Sequence, residues 1–139
     1  MQIVSSYGVE VKKQNIPIRH TLDIFRKAVS YLIGVYAENW EELSKIGNTQ
    51  KRFNEAEHLV HETKKNRARF AFDRHFPQMP SYLRRAAIQH ALGSVSSYQT
   101  RLSLWEKGGL SGKPKLTCEN HAMPVFYRDV MYKLSLIHI

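Results

Sequence analysis

The sequence predicts an α+β fold in which three long helices lie between β-strands near the two ends of the chain. Three observations predict it. Apolar residues recur at three- and four-residue steps over 21–46, 50–75 and 81–106, the period of a helix with one buried face. Residues 2–12 alternate loosely, with Ile3, Val9 and Val11 separated by polar residues, and Pro124–Met131 (PVFYRDVM) is rich in aromatic and β-branched side chains; both patterns suit strands. Proline and glycine punctuate the joints, at Pro17, Pro77, Pro80 and Gly108-Gly109.

Each element has a local cause. In the first strand, Gly8 marks a place for a bulge. The first helix, 21–46, carries a stripe of Leu22, Phe25, Val29, Leu32, Tyr36, Trp40 and Leu43, with Thr21 expected at its N-cap and Gly47 at C′. The second, 50–75, has a thinner stripe of Phe53, Ala56, Val60 and Phe70. Its other faces carry Lys51, Arg52, Lys64, Lys65, Arg67, Arg69 and Arg74, a single-signed run that leans toward a phosphate-facing surface. The segment FPQMP at 76–80 ends it, because proline disfavours helix at the residue before it. The third helix, 81–106, is expected to be capped by Ser81 and holds Leu83, Ala87, Ala91, Val95, Tyr98, Leu102 and Trp105, with small residues between them that permit close backbone approach. After the glycine pair, KGGLSGKPK at 107–115 reads as a flexible basic loop. These joints divide the chain into 1–18, 19–106, 107–123 and 124–133, and the tail LSLIHI at 134–139 resembles translated sequencing-adapter sequence, which points to a truncated reading frame.

Charge narrows the function. Lysine and arginine exceed aspartate and glutamate by 21 to 12, a net charge of +9. Residues 1–50 hold six basic and five acidic side chains, and 51–139 hold fifteen and seven, so nearly all the excess lies in the second part. A polyphosphate partner suits that balance, because each phosphate contact releases condensed counterions. No apolar run approaches the roughly 18 residues that span a bilayer, and the N-terminus lacks a signal peptide's charged-then-apolar order, so a cytoplasmic chain with no membrane partner is expected. One cysteine, Cys118, precludes an internal disulfide framework.

Catalytic patterns are weak. His58-x-x-His61 on the expected second helix could present two metal ligands on one face, the basis of a metal-dependent hydrolase reading, but a zincin needs HExxH and the segment is HLVHE. Cys118-x-x-His121 lacks the second pair of a structural zinc site. GGLSGKP lacks the Ser or Thr of a phosphate loop and follows a helix rather than a strand. The carboxylates Asp23, Asp73, Glu106 and Asp129 show no clustering. What remains is a binding constellation: Lys64, Lys65 and Arg67 on the second helix, Arg84 and Arg85 on the third, Lys107, Lys113 and Lys115 on the glycine-rich loop, and Tyr127 and Arg128 on the last strand. Cations for phosphates beside aromatic faces for bases are what nucleic-acid grooves require. A different use of the same elements is a helical protein-interaction module without a nucleic-acid role, in which the small-residue third helix docks a partner helix.

The order of the later segments, PSYLRRAAIQHALGSVSSYQ from Pro80, then LWEKGG, SGKPKL and PVFYRD, resembles the N-terminal region of TnpB-type (OrfB family) insertion-sequence transposases, which are related to compact type V CRISPR effectors. The resemblance is strongest over residues 77 to 133, and the preceding helices agree with it in type and order rather than in motif. It implies a three-helix recognition bundle inserted between strands of an incomplete wedge-like β-barrel, holding a guide RNA and its heteroduplex with target DNA, with base pairing reading sequence and protein reading shape. It also implies an RNA-guided DNA endonuclease whose RuvC-like acids, with Mg2+, and zinc ribbon lie further along the chain; neither is present in these residues, so this stretch is expected to bind, not cut, and to need no cofactor.

Overall fold

The computed structural model describes residues 3–4, 8, 18–116 and 122–124, and these are mostly helical. Five helices run in order: α1 (Ile18–Glu38), α2 (Trp40–Ser44), α3 (Thr49–Val60), α4 (Phe72–His75) and α5 (Ser81–Glu106). The α+β expectation is therefore corrected. Among the described residues there is no strand, sheet or barrel, only an isolated bridge between Thr63 and Asn66. Ile3, taken from the period-two pattern as a strand residue, is exposed and not in a strand, and neither is its exposed neighbour Val4. The remaining alternating positions, Val9 and Val11, and nearly all of 124–131 lie outside the described residues.

The core forms where the apolar stripes of α1 and α5 meet, and these two helices are the principal pair. Phe25, Ala28, Val29, Leu32 and Tyr36 are buried from α1, and Ala87, Ile88, Ala91 and Val95 from α5. The alanines of α5 let the larger side chains of α1 sit close to its backbone, so most of the apolar burial that stabilises the fold is concentrated at this contact.

The expected helix 21–46 is one ladder bent at Asn39. That residue has φ −106° and ψ 14°, yet its N–H still reaches the Val35 carbonyl (3.2 Å), and its own carbonyl accepts from Leu43 (3.2 Å). The Asn39 side chain also donates to Val35 O at 2.8 Å, a local bond that competes with regular helix. Helix α1 starts before Thr21, which is therefore inside it rather than at its cap. The only glycine with positive φ among the described residues is Gly108, so Gly47 is not a left-handed terminator. Instead Arg52 reaches back over the end of α2: its Nε donates to Leu43 O at 3.0 Å and its Nη2 to Ile46 O at 2.7 Å. The orphan carbonyls of a helix end are met by a side chain nine residues on.

The expected helix 50–75 is the second correction, because α3 stops at Val60. Asn48 opens it, its side chain accepting the Lys51 N–H at 3.0 Å. Asn66 closes it, donating through Nδ2 to His58 O (2.9 Å) and His61 O (2.8 Å). The run KKNRAR offers no apolar stripe to bury, so it does not continue as helix. The chain re-enters the core at Phe72, which is fully buried and packs against Tyr31 of α1 (ring centroids 6.0 Å apart) and Phe76 (5.0 Å).

Helix α5 has the expected bounds, but Ser81 is its first residue and no side chain caps it; Pro80 holds the N-cap position. Its end is a Schellman turn: Gly108 at φ 81° donates to Trp105 O (2.9 Å), and Gly109 to Leu104 O (2.8 Å). Beyond the loop, buried Ala122 returns to α1, its carbonyl accepting from Arg26 Nε at 3.1 Å.

Candidate nucleic-acid interface

The ten cationic and aromatic residues singled out in the sequence fall into three situations. Arg84 and Arg85 project from the first turns of α5 toward α3, where both meet Glu57. Arg84 Nη2 lies 3.5 Å and Arg85 Nε 3.4 Å from the same carboxylate oxygen. The Glu57 and Arg84 side chains are 16% and 13% exposed, so this pair is mostly withdrawn from water; Arg85 is 57% exposed and also lies over the Phe53 ring, 6.0 Å from its centroid. Arg84 thus fastens α3 to α5, and Arg85 keeps an open side.

Lys64, Lys65 and Arg67 are exposed on the segment after α3. A tight turn sets their direction: Thr63 N–H donates to Asn66 O at 2.9 Å, Asn66 N–H returns to Thr63 O at 3.3 Å, and Lys65 N–H meets Thr63 Oγ1 at 3.3 Å. The two lysines occupy the middle of that turn, and none of the three cations has a carboxylate partner among the described residues. Lys107, Lys113 and Lys115 follow α5 and are likewise exposed. Lys113 folds back over Trp105, with Nζ 5.4 Å from the ring centroid, a cation–π contact that steadies the loop. Tyr127 and Arg128 lie outside the described residues, as do Cys118 and His121.

The two histidines do not share a helix face. His58 is on α3 near Glu55 (3.9 Å), whereas His61 is the C-cap, with extended backbone, and its Nδ1 lies 3.1 Å from Asp73 Oδ2. Asp73 also accepts the Glu62 N–H at 3.0 Å, so it closes the chain after α3. Among the described residues no three His, Cys, Asp or Glu side chains gather as a metal site. No helix among them is long and apolar enough to cross a membrane.

Sequence reasoning missed two features. Tyr36, read only as a stripe residue, donates its hydroxyl to Ala56 O at 3.0 Å inside the core, and burial with the nearby Glu57 carboxylate pushes its ionisation far up. The second is an open cleft of about 580 Å³ where α2 and α3 face α5, walled by Trp40 and Phe53 and rimmed by Gln50, Arg85, Gln89 and Ser96. No spacing within one helix announces it, since its walls come from three elements.

These features define a small helical bundle with an exposed basic turn and a basic loop. The chain belongs to the Aq_aa04 family, whose family model matches residues 5–138. No curated protein and no solved structure matches it. The family match carries no link to the TnpB-type proteins.

Proposed function

We propose that this bundle grips the sugar–phosphate backbone of a nucleic acid without catalysing a reaction. The observation that carries the reading is the division of the cations. Arg26, Arg52 and Arg84 are held by carbonyls or a carboxylate within the fold, whereas Lys64, Lys65, Arg67, Lys107 and Lys115 stand exposed with no carboxylate partner among the described residues. Exposed like charges repel one another and lower stability slightly. A polyanion relieves that repulsion and releases counterions in doing so.

The TnpB-type resemblance supports a narrower form, in which the ligands are a guide RNA and its heteroduplex with target DNA. Titrating the chain against RNA duplex, DNA duplex and RNA–DNA heteroduplex over a salt series tests both forms. The expected result is a linear fall of log affinity with log salt, about 10³-fold between low and moderate salt if six or more phosphates are contacted. Preference for the heteroduplex supports the narrower form, and equal affinity for all three removes it. Salt-independent binding, or none, overturns the proposal altogether.

A further inference from the structure

The cleft between the α2–α3 corner and α5 has a composition that the backbone grip does not use. Its aromatic wall is Trp40 and Phe53, both half-buried and packed against the core. A guanidinium lies over each ring: Arg52 is 5.5 Å from the Trp40 centroid and Arg85 is 6.0 Å from that of Phe53. Arg52 is committed to the carbonyls ending α2, but Arg85 is more than half exposed at the rim. Uncharged donors and acceptors, from Gln50, Gln89 and Ser96, complete the rim.

Leu92 and the exposed Gly93 of α5 complete the cleft's lining. Glycine is among the poorest helix formers, and Gly93 sits in the interior of α5. A Cβ built there meets nothing within 4 Å, so internal packing gives no reason for the missing side chain. Its effect is to leave the cleft open. The hollow also continues: Trp40 and Ser96 are shared with a second one, of about 400 Å³, that runs along α5 past Thr100 and Leu104 to Lys107. At 1.5 Å per helical residue, Arg85 and Lys107 stand about 33 Å apart along α5, with Trp40 facing the stretch between them.

A planar π-surface, uncharged hydrogen-bonding groups and a cation at the edge are the complement of a nucleobase and its phosphate. The cleft's volume lies within the range of small-molecule sites. We propose that it receives an unpaired nucleotide of a bound single strand, the base against Trp40 and Phe53 and the phosphate at Arg85, with the strand following α5 toward Lys107. This rests on the backbone grip proposed above and adds that the ligand is single-stranded there and held by its bases.

The test uses a Trp105→Phe chain, in which Trp40 is the sole tryptophan. Its emission and the binding affinity are followed with a short oligoadenylate and with an abasic strand of equal length. The oligoadenylate is expected to quench Trp40 and to bind about tenfold or more tightly than the abasic strand. Gly93→Leu, whose Cβ meets nothing within 4 Å and whose side chain narrows the cleft, is expected to melt no lower than its parent, to keep the abasic affinity and to lose both the quench and the preference. Gln89→Ala, at an exposed position, is expected to lose several-fold in oligoadenylate affinity alone. Equal binding of both strands without quenching overturns the base site and leaves the backbone grip standing, as does a Gly93→Leu chain that keeps its preference. Failure of both strands to bind also overturns the base site, and the duplex titrations then decide the backbone grip by themselves.

Discussion

Two clusters of cations, less than twenty residues apart in sequence, are used in opposite ways. Around Glu57, Arg84 and Arg85 converge on one carboxylate that is largely withdrawn from water, and their charge joins two helices. On the turn at 63–67, Lys64, Lys65 and Arg67 face solvent with no carboxylate beside them among the described residues. Arg84 of the first cluster belongs to folding and Arg85 only in part, whereas the second cluster is available to a ligand. A basic residue's type says little about which use it has; the presence of an acid across a helix interface decides.

Substitutions separate the two roles. The largest expected effect is from Phe72→Ala, which empties the fully buried ring anchoring the basic segment to Tyr31; about 3–5 kcal/mol of stability should be lost in urea unfolding. A loss below about 1 kcal/mol would mean the segment after α3 is not fastened to the core there. Glu57→Ala should cost about 2–3 kcal/mol, between the values for exposed and fully buried pairs, because it leaves Arg84 withdrawn from water without its acid. If the loss matches that of an exposed pair, Glu57 does not fasten α3 to α5.

Tyr36→Phe should cost about 1 kcal/mol near neutral pH for the lost bond to Ala56 O. It should also change the alkaline limb of stability. The folded state holds the Tyr36 proton more tightly than the unfolded chain does, so the stabilisation is complete below pH about 10 and declines above it, by about 1.4 kcal/mol per pH unit. Thermal melts between pH 9 and 11 should therefore show the parent losing stability faster than the phenylalanine variant; parallel curves would place the hydroxyl in contact with water. The smallest stability effect is expected from the triple change Lys64→Gln, Lys65→Gln and Arg67→Gln, within about 0.5 kcal/mol of the parent. The same variant should flatten the salt dependence of nucleic-acid binding by about two to three log units per log unit of salt. Loss of folding rather than of the slope would erase the contrast between the clusters.

Much of the helical framework was legible because it depends on local spacing. The stripe from Phe25 to Tyr36 marked the buried face of α1, and the 81–106 pattern marked α5 with the bounds it has. The helix expected to run on to residue 75 was misread because a basic run can lie on a helix or leave it, and the side chain of Asn66, capping carbonyls five and eight residues back, settles the matter. The first strand was inferred from loose alternation over 2–12, a pattern that in so short a run competes poorly with other extended conformations, whereas the strand inferred from aromatic and β-branched composition at 124–131 lies almost wholly outside the described residues. Of the candidate binding residues, the turn and loop lysines were identifiable from charge alone. Arg84 was not separable from them, since Glu57 lies twenty-seven residues earlier in the sequence.

By itself the sequence determined where α1 and α5 form, the glycine turn that ends α5, and the accumulation of positive charge after residue 50. These follow from periodicity, backbone freedom and composition, which act over a few residues. Only the tertiary structure decided which cations are consumed, how α2 is capped by Arg52, and that Trp40, Phe53 and Gly93 enclose one cleft. Those outcomes depend on which groups meet when helices pack, and that is a matter of burial between segments rather than of spacing within one.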